Sequence, residues 1–287
     1  MENQKVVQLP SRAELFYKHV LQTLHRANLP FLIGGSLAMA FYMHLPRRPK
    51  DLDIFVRRED CQSILEALSS RGYRTEVLHG HWLSKAWQDD LFVDFIFSSG
   101  NGLAKVDDSW FAQSQKARFL SVPVRVCSPE DIIWSKAFIM DRERFDGADI
   151  AHLIRDAGTA FDWNQLLERF GEHWRLLLTH LLLFEYIYPT ERIVPRWLMD
   201  ELLERARQDR DPERDFDRLC QGTLLSRDQY LSDIELYGYT DGRVEPNGKM
   251  TEQEVNEYTT FIRDEQARKL EEHSLEQDKS NHDEQVA

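Results

Sequence analysis

The sequence predicts an α/β (α+β) protein with a helical C-terminal region. Three observations carry this expectation. Over the first 160 residues, short apolar runs of strand character alternate with amphipathic helices. After about residue 160 only helical spacing remains, and from Leu236 hydrophobicity falls. The expected organisation is therefore residues 1–160 as one α/β domain, 161–235 as a helical domain, and 236–287 as a turn-rich segment with a charged, disordered tail.

The elements follow in order. Ser11 precedes Glu14 by three residues, a capping-box pattern, and Phe16, Val20 and Leu24 continue one apolar stripe until Asn28 and Pro30. The apolar run Phe31-Leu32-Ile33 stops at Gly34-Gly35, and residues 36–44 read as a helix broken by Pro46 and Pro49. Residues 51–56 read as a strand. The helix over 59–70 places Cys61, Ile64, Leu65 and Leu68 on one face. Residues 73–78, 82–87 and 91–97 read as strands, the last two joined by a turn at Asp89-Asp90. Residues 122–126 form another strand, which Pro123 assigns to a sheet edge. Ser128-Pro129-Glu130-Asp131 starts a helix, with proline at its first position. Residues 164–170, 174–186, 195–207 and 213–220 all have helical spacing. From Asp264 onward eight acids face three bases, which predicts a frayed helix and then disorder.

Composition excludes several function classes. Hydrophobic residues make up 42% of the 287, ample for a packed core. The net charge of −13 argues against a broad nucleic-acid-binding surface, though Arg47, Arg48, Lys50, Arg57 and Arg58 form a local basic cluster. Cys61, Cys127 and Cys220 lack metal-ligand spacing and give no disulfide framework, which fits a cytoplasmic protein. The opening MENQKVVQLP lacks the apolar core of a signal peptide. The greasiest stretch, residues 176–188, carries His180 and Glu185 and is too short to span a bilayer, so no membrane partner is expected.

The informative stretch is Phe31 to Val56. The glycine pair Gly34-Gly35 permits close approach of a ligand, and Ser36 adds a hydroxyl where a helix opens its free N–H groups to an anion such as phosphate. Asp51 and Asp53, two apart on a strand, share one face and repel unless a cation lies between them. Asp94 stands amid apolar neighbours and is costly to bury alone. If its strand lies beside that of Asp53, three carboxylates converge on a site suited to Mg2+. Singly, each feature has a plainer reading as a turn, a strand-start residue or a paired core acid. Together they occur in the order the chemistry requires. His79 and His81 lack visible metal partners, Trp82 and Trp87 read as core, and there is neither a nucleophile elbow nor a Walker lysine loop.

On Gly34, Gly35, Ser36, then Asp51 and Asp53, then Asp94, the chain resembles the DNA-polymerase-β-like nucleotidyltransferase superfamily over residues 12–157. The resemblance implies a mixed sheet flanked by helices and a Mg2+-dependent transfer of a nucleoside monophosphate from an NTP. In that pattern Asp51, Asp53 and Asp94 are catalytic: Asp51 and Asp53 hold two Mg2+ ions, and Asp94 binds one of them and helps to activate an acceptor hydroxyl. Gly34, Gly35 and Ser36 hold the triphosphate, with Arg48 of the basic cluster beside them. Residues 128–155 are similar to a segment of small bacterial nucleotidyltransferases, including the abortive-infection toxin type. There Lys136, then Arg142 or Arg144, then Asp146 and Asp149 match, with Lys136 reaching the nucleotide. Asp-x-x-Asp at a helix start also reads as a cap arrangement. The acceptor stays open between RNA, a protein and a small molecule. A non-catalytic nucleotide-binding or antitoxin-like protein on the same fold is the alternative.

Overall fold

The computed structural model describes residues 10–43, 51–208 and 218–286. The chain divides into two compact units, residues 1–216 and 217–287.

The first unit opens with α1 (Ser11–Arg26), β1 (Leu32–Ile33), α2 (Gly35–Tyr42), β2 (Leu52–Phe55) and α3 (Arg58–Ser69). Then come β3 (Arg74–His79), β4 (Leu83–Gln88), β5 (Leu91–Ile96), α4 (Asp108–Gln113), β6 (Gln115–Phe119) and β7 (Val122–Val126). Five helices follow: α5 (Pro129–Ala137), α6 (Gly147–Ala157), α7 (Trp163–Phe170), α8 (Trp174–Ile187) and α9 (Arg196–Gln208). The strands form a seven-stranded mixed sheet in the order β3-β4-β5-β2-β1-β7-β6. β2 runs parallel to β5, and β1 parallel to β7, while the remaining neighbours are antiparallel. The expected α/β arrangement, with a mixed sheet flanked by helices and helices after it, is the observed one.

Burial explains the layering. Leu52 and Ile54 of β2 and Val93 and Phe95 of β5 are almost wholly shielded from water, at the centre of the sheet. α1 packs on α3 and against β5 and β7, turning Phe16, Val20 and Leu24 inward. α3 buries the four residues that its spacing singled out, Cys61, Ile64, Leu65 and Leu68. α5 is capped as its sequence requires, with Ser128 Oγ accepting from the Asp131 amide and Pro129 in the first turn.

Four local expectations are corrected. α1 is capped at Pro10 without a side-chain bond, because Ser11 is already its first helical residue, so the capping box does not form. β7 lies inside the sheet, between β1 and β6. Pro123 is tolerated there because β1 is two residues long and meets β7 only at Val126, leaving Pro123 no ladder partner on that side. α4 and β6 fall in a stretch with no predicted element. In the helix expected over 213–220, Leu219 and Cys220 are a strand, β8, paired parallel with β9 (Thr240–Asp241), and residues 213–217 lie outside the described residues.

The second unit contains β8, β9, α10 (Leu231–Glu235) and α11 (Glu252–Val286). Its centre is a buried ion pair: Arg243 Nη2 donates to Asp241 Oδ2 at 2.7 Å and to Thr259 Oγ1 of α11 at 3.2 Å, while Thr223 Oγ1 donates to Asp241 Oδ1. Leu224, Met250, Val255, Tyr258 and Ile262 are its buried apolar residues. Where composition pointed to a frayed helix and a disordered tail, the structure continues α11 to Val286.

The helices after the sheet are tied to it by buried charge. Asp131 of α5, fully buried, meets Arg169 Nη2 of α7 at 2.5 Å and accepts from Ser128 Oγ. The same guanidinium reaches Ser109 of α4, and Glu130 Oε1 accepts from the Asp162 amide that opens α7. Arg169→Leu leaves the Asp131 charge buried without its partner, so urea unfolding is expected to show a loss of about 3–5 kcal/mol. A second expectation concerns His180, buried in α8 and hydrogen-bonded through Nε2 to Ala137 O at 2.9 Å. Burial holds its pKa below the ordinary value of 6.5. As pH falls through 6.5 the unfolded chain takes up this proton first, so the His180 contribution is complete above 6.5 and lost below it. His180→Gln, which can still donate to Ala137 O, should flatten the decline in melting temperature between about pH 7 and 5.

Candidate active site

β1 ends at Ile33 and the chain turns into α2 through Gly34 and Gly35. The Gly34 amide donates to Asp53 O at 3.0 Å, extending the β1–β2 ladder by one step. Gly35 has φ +53°, and a Cβ there would lie 1.7 Å from Asp53 Oδ2. A Cβ on Gly34 would lie 2.4 Å from the Phe55 ring. The glycine pair therefore supplies the space into which Asp53 and Phe55 fit, besides freeing the turn. Gly34 occupies the N-cap position of α2 with no side-chain cap, and Ser36 is half-buried in the first turn. The first amides of α2 thus carry no side-chain cap and stand beside the Asp53 carboxylate, as an anion held next to a cation would require.

The acids are assembled by register. β2 and β5 pair in parallel with Asp53 directly opposite Asp94, and Asp51 lies just before β2. Asp51, Asp53 and Asp94 offer oxygens that all lie within 4.8 Å of one another. Two ionised carboxylates at that spacing repel by roughly 3–4 kcal/mol at an effective dielectric near 20. Burial, reinforced by Asp51 and Asp94, pushes the Asp53 carboxyl up to about 7, against the pull of Lys136 and Arg144. Burial also raises Asp94, opposed by the ammonium of Lys85, whose Nζ lies 2.9 Å from Asp94 Oδ1. The site is thus a partly dehydrated, oxygen-rich cluster short of positive charge, and three hard carboxylates are a donor set suited to Mg2+.

A second group of charges adjoins it. Lys136 Nζ of α5 meets Asp146 Oδ2 at 2.6 Å and Asp149 Oδ2 at 2.9 Å. Arg144 grips Asp146 with two bonds of 3.0 and 2.9 Å. Asp146 does stand at the N-cap of α6, yet its side chain makes no cap bond; it is committed to Lys136 and Arg144 instead. Arg48, with Arg47 and Lys50, lies outside the described residues. Arg57 is paired with Asp60 and Asp108, and Arg58 stacks on Phe97 at 4.7 Å. His79 stacks on Trp82, and Arg74 lies over the ring of Trp87.

Two residues at the site escaped the sequence reading. Tyr17 of α1 is buried, and its hydroxyl is raised to about 12, first by burial and then by Asp51, Asp53 and Asp94. Nothing local distinguishes it from the rest of the α1 core. Lys85 was legible: a two-residue turn at Asp89-Asp90 pairs Gln88 with Leu91 and, three steps further out, Lys85 with Asp94.

A two-glycine turn into a helix stands beside three converging carboxylates, two of them on adjoining strands of a mixed sheet, which is the arrangement that the sequence resemblance to nucleotidyltransferases implied. The family model for uncharacterised nucleotidyltransferases matches residues 15–185, and the chain belongs to this family. No curated protein matches the chain. Among solved structures, it is similar to the antibiotic-resistance factor ANT(2'')-Ia (16% identity, 64% of this chain and 100% of that one, TM-score 0.42). It is also similar to the lincosamide antibiotic adenylyltransferase LnuA in its lincomycin-bound form (16% identity, 50% and 96%, TM-score 0.36). A third is an antigenic nucleotidyltransferase-like protein from Paracoccidioides brasiliensis (17% identity, 68% and 94%, TM-score 0.41).

The Gly35 contact makes a direct prediction. Gly35→Ala should lower stability by about 1–2 kcal/mol from the backbone alone, with a further loss from displacing Asp53. In a double-mutant cycle with Asp53→Ala, the collision with the carboxyl group disappears and only the 2.9 Å approach to the Asp53 Cβ remains, so Gly35→Ala should cost less in the Asp53→Ala background than in the parent chain, as read by thermal melting.

Proposed function

We propose that the chain moves a nucleoside monophosphate from an NTP to an acceptor hydroxyl, with Mg2+ held by Asp51, Asp53 and Asp94. The observation that carries this reading is the convergence of the three carboxylates beside the Gly34-Gly35-Ser36 turn. The donor set fits a hard divalent cation, and the raised Asp53 carboxyl marks a place where added positive charge relieves repulsion. Bound there, the cation supplies neutralisation of the transferred phosphoryl group and a lowered proton affinity of the acceptor hydroxyl.

The remaining work belongs to the chain. The first amides of α2 and the Ser36 hydroxyl receive the triphosphate. Asp94, kept apart from bulk water, accepts the acceptor's proton. Lys136, fixed from two sides by Asp146 and Asp149, brings positive charge toward the nucleotide. The acceptor is an RNA end, a protein hydroxyl or a small-molecule hydroxyl. Among the described residues no helix is long and apolar enough to cross a membrane.

The test uses each of the four α-labelled NTPs with the protein plus tRNA, cell lysate or a polyhydroxylated small-molecule pool, with and without EDTA. Label should enter one acceptor class in a divalent-cation-dependent manner. Asp53→Asn should cost at least about a hundredfold in transfer, while its melting temperature stays level or rises because like-charge repulsion is relieved. Transfer that is unchanged in Asp53→Asn would overturn the assignment, and absence of labelling with every pool would favour a binding role.

A further inference from the structure

We propose that Lys85 belongs to this site: its ammonium is the resident counter-cation of the third carboxylate, positioning Asp94 and setting how strongly the three acids take up a divalent cation. This inference rests on reading Asp51, Asp53 and Asp94 as cation ligands. The sheet register supports it. Lys85 of β4 is directly opposite Asp94 of β5, and Asp94 is directly opposite Asp53 of β2. Directly opposed residues share a face, so the three side chains form one row across three strands. On its other side Lys85 faces Glu76 of β3, an exposed acid. Its ammonium nevertheless lies 2.9 Å from Asp94 Oδ1.

The pair is built rather than incidental. The Lys85 and Asp94 side chains are 19% and 15% exposed, so solvent screens them little. The ammonium also sits 4.0 Å from the centre of the Phe92 ring, which fixes it from a second direction. With all three acids ionised, as a bound cation would keep them, three carboxylates and one ammonium carry a net charge of −2, so the cluster still attracts a divalent cation with Lys85 in place. The ammonium meets Asp94 Oδ1 as an ion pair and does not complete a hydrogen bond to it, so the contact orients the carboxylate without saturating it. Lys85 thus competes with the cation for Asp94 while keeping that carboxylate from turning away from Asp53. Without Lys85 the acids should hold a metal more tightly but position Asp94 less well.

The experiment measures Mn2+ binding by calorimetry and by electron paramagnetic resonance, without nucleotide, on the full chain and its variants. Lys85→Met should bind Mn2+ about tenfold more tightly or better, because a positive charge beside the ion has gone. Lys85→Arg should stay near the parent chain. Lys85→Gln serves as a second neutral variant if Met disturbs the fold, judged by melting temperature. Asp53→Asn should lose Mn2+ and is the control for the site itself. If the parent binds Mn2+, Asp53→Asn does not, and a folded neutral variant at position 85 binds no more tightly than the parent, the Lys85 inference fails while the proposed function stands. An Arg variant that behaves like the neutral ones also overturns it. No Mn2+ binding by the parent chain would remove both readings together.

Discussion

The parallel pairing of β2 with β5 places Asp53 opposite Asp94, and most of the site follows from that one register. Two carboxylates held face to face need strong anchoring, and Leu52, Ile54, Val93 and Phe95 provide it, alternating with the acids and almost wholly buried. A slip of one residue would turn these apolar side chains to the acidic face and the acids into the core. The hydrophobic pattern therefore protects the geometry of the acids. The same register leaves so little room around Asp53 that the neighbouring turn tolerates no side chain at Gly35.

Around the acids the fold sets a partial ring of cations. Lys85 comes from β4, Lys136 from α5, and Arg144 from the segment before α6. Each is anchored on a carboxylate: Asp94 for Lys85, Asp146 and Asp149 for Lys136, Asp146 for Arg144. The arrangement keeps positive charge near Asp53 without neutralising it, so the site retains a deficit that a metal can fill. The helices after the sheet take part, because the buried Asp131–Arg169 pair fixes α5, the helix that carries Lys136, against α7.

Much of this was legible locally. The two-residue period puts Asp51 and Asp53 on one face without reference to the rest of the chain. Ser128-Pro129 marks the start of α5 because cap chemistry is local. The Asp89-Asp90 turn even determines the Lys85–Asp94 pairing. The failures have a common cause. Whether Ser11 caps a helix depends on where the first helical residue falls. Whether Pro123 marks an edge depends on the length of the neighbouring strand, which lies some 90 residues earlier in the chain. β6 carries alternating charged residues on an outer strand, so it shows no apolar run to detect.

The sequence by itself determined the α/β class, the glycine turn, the acid pair and the helix that carries Lys136, because these depend on periodicity, turn chemistry and capping within a few residues. Tertiary structure decided which strands become neighbours. It brought Asp94 beside Asp53 across 41 positions of chain, gave Lys136 its two carboxylates, and placed Tyr17 among the acids. Those outcomes depend on the packing of helices on both β2 and β5 and on the balance of buried charge, and neither is written in any local window of the chain.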